Sequence, residues 1–213
     1  MSRPGNGLGE PDWSRLFHAY GVAVDVPAHL DALAGDDERA RVKAVDHLWA
    51  AVIHQGTPWS ATPPAALVVA GLLSDPRTAR RRVASAPLRA VLLDFLGEVG
   101  EAAQPEVPQE EIRAAADPRG REAEIAATLE TLLSEDPEDS EDSEDSEESE
   151  DVWDEEAIEV IMAQVVLDLR AAVPYLTEAV AACLADEESA VRDAASKALA
   201  VLRRVPTDGS SGT

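Results

Sequence analysis

The sequence predicts an all-α protein, a solenoid of stacked antiparallel helix pairs carrying an acidic disordered insertion. Three observations predict it. Apolar residues make up 45% of the chain but aromatic ones only 4%, and the apolar set is mainly Ala, Val and Leu, which suits close helix packing better than sheets. No stretch alternates with period two over a useful length. One unit also recurs along the chain: a Pro, a short apolar helix, an acidic turn and a longer helix.

Taken in order, residues 1–10 combine Pro4, Asn6 and three glycines, have no face to bury, and are expected to be disordered. Helices are expected at about 12–20, 27–34, 38–54, 63–74, 86–99, 119–134, 152–172, 174–185 and 188–204 from runs of apolar residues at three- and four-residue spacing. Pro27, Pro64 and Pro174 are each placed at a helix start, where the missing N–H would be unpaired anyway. Residues 11–134 and 152–205 are read as parts of one helical domain. The tract between them, 135–151, is a run of Asp, Glu, Ser and Pro that can bury nothing, and 206–213 is a Gly/Ser-rich tail.

The repeat is clearest when "PAHLDALAGDDERARVKAVDHLWAAV", 27–52, is set beside "PYLTEAVAACLADEESAVRDAASKALAVL", 174–202. Arg41 falls with Arg192, Ala44 with Ala195 and Leu48 with Leu199. A third copy, 64–100, turns at Asp75-Pro76 and carries Arg89 seven residues before Leu96. Acidic residues at the turns suit the cap of the following helix, and small residues at packed positions let helices approach closely. The expected core comprises Leu48, Val52, Leu67, Leu72, Leu92, Leu96, Leu176, Val191, Leu199 and Leu202.

In this order of Pro, Asp and Arg the chain resembles bacterial HEAT/armadillo-like repeat proteins, over about residues 26–100 and 152–204. The segment "LWAAVIHQGTPWSATPPAAL" is similar to one found in bacterial HEAT-like proteins of unassigned function. The resemblance implies a right-handed stack in which the second helix of each pair lines a concave face. The pattern lapses over 101–151.

Charge bounds the function. The net charge is −24, but 15 acids lie between Glu135 and Glu156 with no Lys or Arg among them, leaving 27 acids against 18 bases elsewhere. Nucleic-acid binding is disfavoured, because it needs clustered cations to displace counterions. No apolar run approaches the roughly 20 residues of a membrane span. The single cysteine, Cys183, sits among apolar residues and reads as a core thiol, so the chain is expected in reducing cytoplasm. The dense basic patch, Arg77 and Arg80 to Arg82, reads as a solvated loop or as partners for the chain's own acids.

The stretch richest in recognition chemistry is "HQGTPWSATPP", 54–64. Gly56 suits a left-handed turn and Thr62-Pro63 a helix start. His54, Gln55, Thr57 and Trp59, with His47 and Trp49 on the preceding helix, form the candidate binding surface. A structural reading stands beside it, with Trp59 packed across a corner and His54 bonded to a helix-end carbonyl. His47 and His54, seven apart, would lie about 10 Å apart on a helix, too far for one ion. With no Cys-x-x-Cys or His-Glu-x-x-His, no metal, cofactor or catalytic group is assigned.

The function expected is that of a non-enzymatic interaction module whose concave helical surface binds or inhibits a basic partner protein. The alternative is an enzyme on a HEAT-like scaffold, such as an alkylpurine DNA glycosylase, with Trp49, Trp59 and Asp46 around a base. That reading needs a cationic concave face.

Overall fold

The computed structural model describes residues 11–104, 107–134 and 154–206. The expectations for residues 1–10, 135–151 and 207–213 lie outside them. The described chain is mostly helical, with eight α-helices: α1 Val26–Leu33, α2 Glu38–His47, α3 Thr62–Leu73, α4 Leu88–Ala102, α5 Gln109–Ala115, α6 Glu122–Ser134, α7 Glu155–Ala182 and α8 Ser189–Leu202. None of them is long and apolar enough to cross a membrane.

Local chemistry sets most of the boundaries. Pro27 lies in the first turn of α1, and Pro63 and Pro64 lie in that of α3. Asp37 caps α2 by accepting from the N–H groups of Arg39 and Ala40, and Asp154 does the same for α7 through Glu156 and Ala157. Pro174 does not open a helix. It sits inside α7, which runs unbroken through the two helices expected at 152–172 and 174–185. An interior proline removes one helix hydrogen bond. α7 packs against α3, α5, α6 and α8, and that packing supports the helix despite the defect.

Three short antiparallel hairpins interrupt the helices, and none was expected. They are β1 Phe17–His18 with β2 Gly21–Val22, β3 Ile53–His54 with β4 Thr57–Pro58, and β5 Arg82–Val83 with β6 Ala86–Pro87. The first replaces the helix expected at 12–20. Trp13, Leu16, Phe17 and Tyr20 have helical spacing, but Phe17 and Ala19 spend their backbone groups on distant partners. Ala19 N–H donates to Ala51 O, and Ala61 N–H donates to Phe17 O. The second hairpin ends what was expected to be a helix to residue 54. After His47 the backbone widens into a π-turn, Leu48–Val52, that keeps Leu48, Ala51 and Val52 buried before the strand begins.

α1 and α2 form a helical hairpin, α3 packs along α7, and α4 packs along α8. A Cβ on Gly97 would face Ala198, and one on Gly100 would face Val201 and Leu202, so α4 and α8 run in the same direction. The core runs through all of these helices, with Leu48, Val52, Leu92, Leu96, Leu176, Val191, Leu199 and Leu202 buried. Leu67 and Leu72 are only half-buried. The face that α3 buries is Thr62, Ala65, Ala66, Val69, Ala70 and Leu73, small enough for close approach, which leaves the larger leucines on its flank.

The arginines aligned by the repeat make related bonds. Arg41 donates Nη1–H to Gly35 O and Arg192 donates Nη1–H to Asp186 O, in both cases a turn carbonyl six residues upstream. Arg89 donates to Asp75 O and Thr78 Oγ1 in its own turn. Two of the three also reach the following turn, Arg41 through Nε to Arg82 O and Arg89 through Nη1 to Asp186 Oδ2. The patch 77–82 pairs mostly with the chain's own acids: Arg77 with Asp75, Arg81 with Asp36 and Arg82 with Glu188.

Candidate functional site

The first two hairpins lie side by side and gather all four histidines of the chain. β1 is tied to the loop before α3 because Phe17 N–H donates to Ser60 Oγ at 2.8 Å. In the β3–β4 turn, Gln55 (φ 51°) and Gly56 (φ 80°) both adopt left-handed backbone, the conformation a two-residue hairpin demands. Thr62 locks this turn from beneath. Its buried hydroxyl donates to Val52 O and accepts from Trp59 N–H, so it braces the hairpin instead of capping α3, whose cap position is Ala61.

The histidine tautomers follow from their partners. Ala50 O can only accept, so His54 carries its hydrogen on Nδ1, 2.8 Å away, and Nε2 holds the lone pair. His18 is the opposite case. Its Nδ1 accepts from Tyr20 N–H at 3.0 Å, which places the hydrogen on Nε2, and Nε2 donates to Asp25 Oδ1 at 3.0 Å. His47, on the last turn of α2, lies against His29 of α1 with ring centroids 4.0 Å apart and planes 9° from parallel, and its ring stands edge-on to His18 at 5.3 Å. Its Nε2 is buried, 3.7 Å from Asp25 Oδ2, and has no hydrogen-bond partner among the described residues. Burial, and the neighbouring His29 after it, lower the His47 pKa to about 4, so the ring is neutral near pH 7.

Around this cluster the surface is aromatic and partly open. Tyr20 is 56% exposed, yet its ring contacts His54 at 5.8 Å and His18 at 6.2 Å. Val24, 63% exposed, follows four residues later. Gln55 and Thr57 are exposed and His54 is half-buried.

The six residues singled out from the sequence divide among several environments. His54, Gln55 and Thr57 lie on one hairpin. Trp59 is half-buried edge-on against Phe17, and its Nε1 is buried without a partner among the described residues. Trp49 packs edge-on against Phe95 of α4, 5.6 Å away. His47 and His54 do not share a helical face, because the π-turn and strand β3 separate them. The partners of His47 are instead His18, Asp25 and His29. Asp46 is exposed on α2. Cys183 is buried, and burial raises its thiol pKa.

Sequence reasoning missed His18, Tyr20, Asp25 and His29. One signal was available, since "FHAYGV" and "IHQGTP" both place an apolar residue and a histidine ahead of a two-residue turn with a glycine in it or directly after it. Helical spacing around Trp13 and Phe17 masked it.

No family model, no curated protein and no solved structure matches this chain.

Proposed function

We propose that the chain is a non-enzymatic interaction module, a short bacterial HEAT-like solenoid that presents a hairpin edge to a basic protein partner. The solenoid reading is supported by the shared turn bonds of Arg41, Arg89 and Arg192 and by the common direction of α4 and α8. In a stack of repeats, second helices of successive units run side by side in one direction and each unit contacts its neighbours.

The observation that carries the interaction reading is Tyr20. A large aromatic more than half exposed, yet held between two histidine rings, is a pre-organised anchor of the kind that dominates interfaces. Val24 extends the apolar contact, and Gln55 and Thr57 supply a polar rim on the adjacent turn. The net charge of −24 favours a cationic partner and steers its approach.

The test uses the full chain and a triple variant, Tyr20→Ala with Gln55→Ala and Thr57→Ala. All three side chains are exposed, so stability should shift by under about 1 kcal/mol. The expected result is retrieval of a basic protein from extracts of the producing cells by the parent chain and its loss from the variant, with an association rate that falls as salt rises. Equal retrieval by both chains, or a rate that is flat across salt, refutes the reading.

A further inference from the structure

We propose that His18, Asp25 and His47 together bind one zinc ion, with water from the open side of Asp25 completing the shell. His18 Nε2 lies 3.0 Å from Asp25 Oδ1, His47 Nε2 lies 3.7 Å from Asp25 Oδ2, and one ligand atom from each of the three residues falls within 4.8 Å of the other two. Two ligands on a tetrahedral zinc, each about 2.0–2.1 Å from it, stand roughly 3.4 Å apart. The separations to the carboxylate bracket that edge, so closing the set needs side-chain shifts on the order of one ångström.

The donor set narrows the ion to a divalent transition metal. Two imidazoles and one carboxylate suit zinc, as they also suit Fe(II), whereas calcium and magnesium prefer all-oxygen shells. His47 Nε2 is a buried polar atom with no hydrogen-bond partner among the described residues, and an ion would satisfy it. The stack with His29 holds that ring in place. Asp25, with its side chain 46% exposed, gives the ion a way in from solvent.

His18 has to change tautomer. In the metal-free chain its Nε2 carries hydrogen and its Nδ1 accepts from Tyr20 N–H. Zinc takes the Nε2 lone pair, so that hydrogen moves through water to Nδ1 and the Tyr20 N–H turns to solvent. No net proton leaves the ring. Both hydrogen bonds of the His18 ring, from Tyr20 N–H and to Asp25 Oδ1, are exchanged for a metal–ligand bond, and the turn that presents Tyr20 becomes coupled to the ion. This proposal stands apart from the partner-binding reading, because it concerns groups beneath the exposed edge.

The experiment titrates zinc chloride into the full-length, chelator-stripped chain near neutral pH and physiological salt, against a competing chelator. Cobalt(II) absorption and histidine ¹⁵N NMR are followed in parallel. One equivalent should bind, with the visible band of low-coordinate cobalt, and the His18 ring should switch from the Nε2–H to the Nδ1–H form. Asp25→Asn and His47→Phe should each weaken zinc about 100-fold or more, while His54→Phe binds as the parent does. Asn keeps the shape of Asp, so loss of zinc from Asp25→Asn with unchanged helix content reports a lost ligand. Replacing residues 137–150 by a Gly/Ser linker should leave the equivalent intact. The proposal is overturned if zinc binds equally to Asp25→Asn and His47→Phe, if the equivalent disappears with the acidic run, or if His18 keeps its Nε2 hydrogen in excess zinc.

Discussion

Thr62→Val isolates the contribution of one hydroxyl to the hairpin that carries His54, Gln55 and Thr57. Thr62 is fully buried, donates to Val52 O and accepts from Trp59 N–H. Valine preserves the shape and removes both bonds. Each buried group left unpaired costs about 1–3 kcal/mol, so two cost roughly 2–6 kcal/mol. The added methyl returns at most about 0.8 kcal/mol, leaving a net loss of about 1–5 kcal/mol. With a urea slope of about 2 kcal/mol/M, the midpoint should fall by roughly 0.5–2.5 M with the slope unchanged. Thr62→Ser, followed by the same circular-dichroism titration, keeps the hydroxyl and deletes a methyl, and should cost only about 1 kcal/mol. If the serine variant is the less stable of the two, Thr62 acts through its methyl group and the hairpin is not braced as argued.

Two further substitutions test the packing. Gly100→Val should destabilise by about 1–3 kcal/mol or more, because even a Cβ there would lie 2.9 Å from Val201 Cγ1 and 3.1 Å from Leu202 Cδ2; a thermal midpoint equal to that of the parent would show that α4 and α8 are not pressed together. Leu199→Ala, at a buried position, should cost about 2–5 kcal/mol, whereas Leu67→Ala, on the half-buried flank of α3, should cost distinctly less; the reverse order in chemical denaturation would mean that α3 buries its other face.

The sequence by itself determined the helical class, the order of most helices and much of the core, because these depend on local periodicity and on chemistry within a few residues. Pro27 in the first turn of α1, Asp37 beneath α2 and the buried Leu92 and Leu96 on α4 are all local decisions. The alignment of Arg41 with Arg192 was legible in the sequence as a repeat, whereas the turn bond they share came only from the structure. Of the candidate site, the segment 54–59 was legible as rich in hydrogen-bonding groups, and its left-handed turn was readable from Gly56.

What only the tertiary structure decided were the features set by partners distant in sequence. The segment 12–20 has helical spacing but becomes a 3-10 turn and half of a hairpin, because Phe17 and Ala19 bond to Ser60 and Ala51. Pro174, locally a helix start, sits inside α7, whose packing against four neighbouring helices offsets the lost bond. α5 holds a single buried apolar residue, Ile112, too few to set a period, and it forms where α7 can cover it. The histidine cluster unites residues 18, 25, 29 and 47 through the β1–β2 hairpin and the pairing of α1 with α2. Local periodicity cannot specify that assembly, because two helices and a hairpin must dock before His18, Asp25 and His47 come within reach of one another.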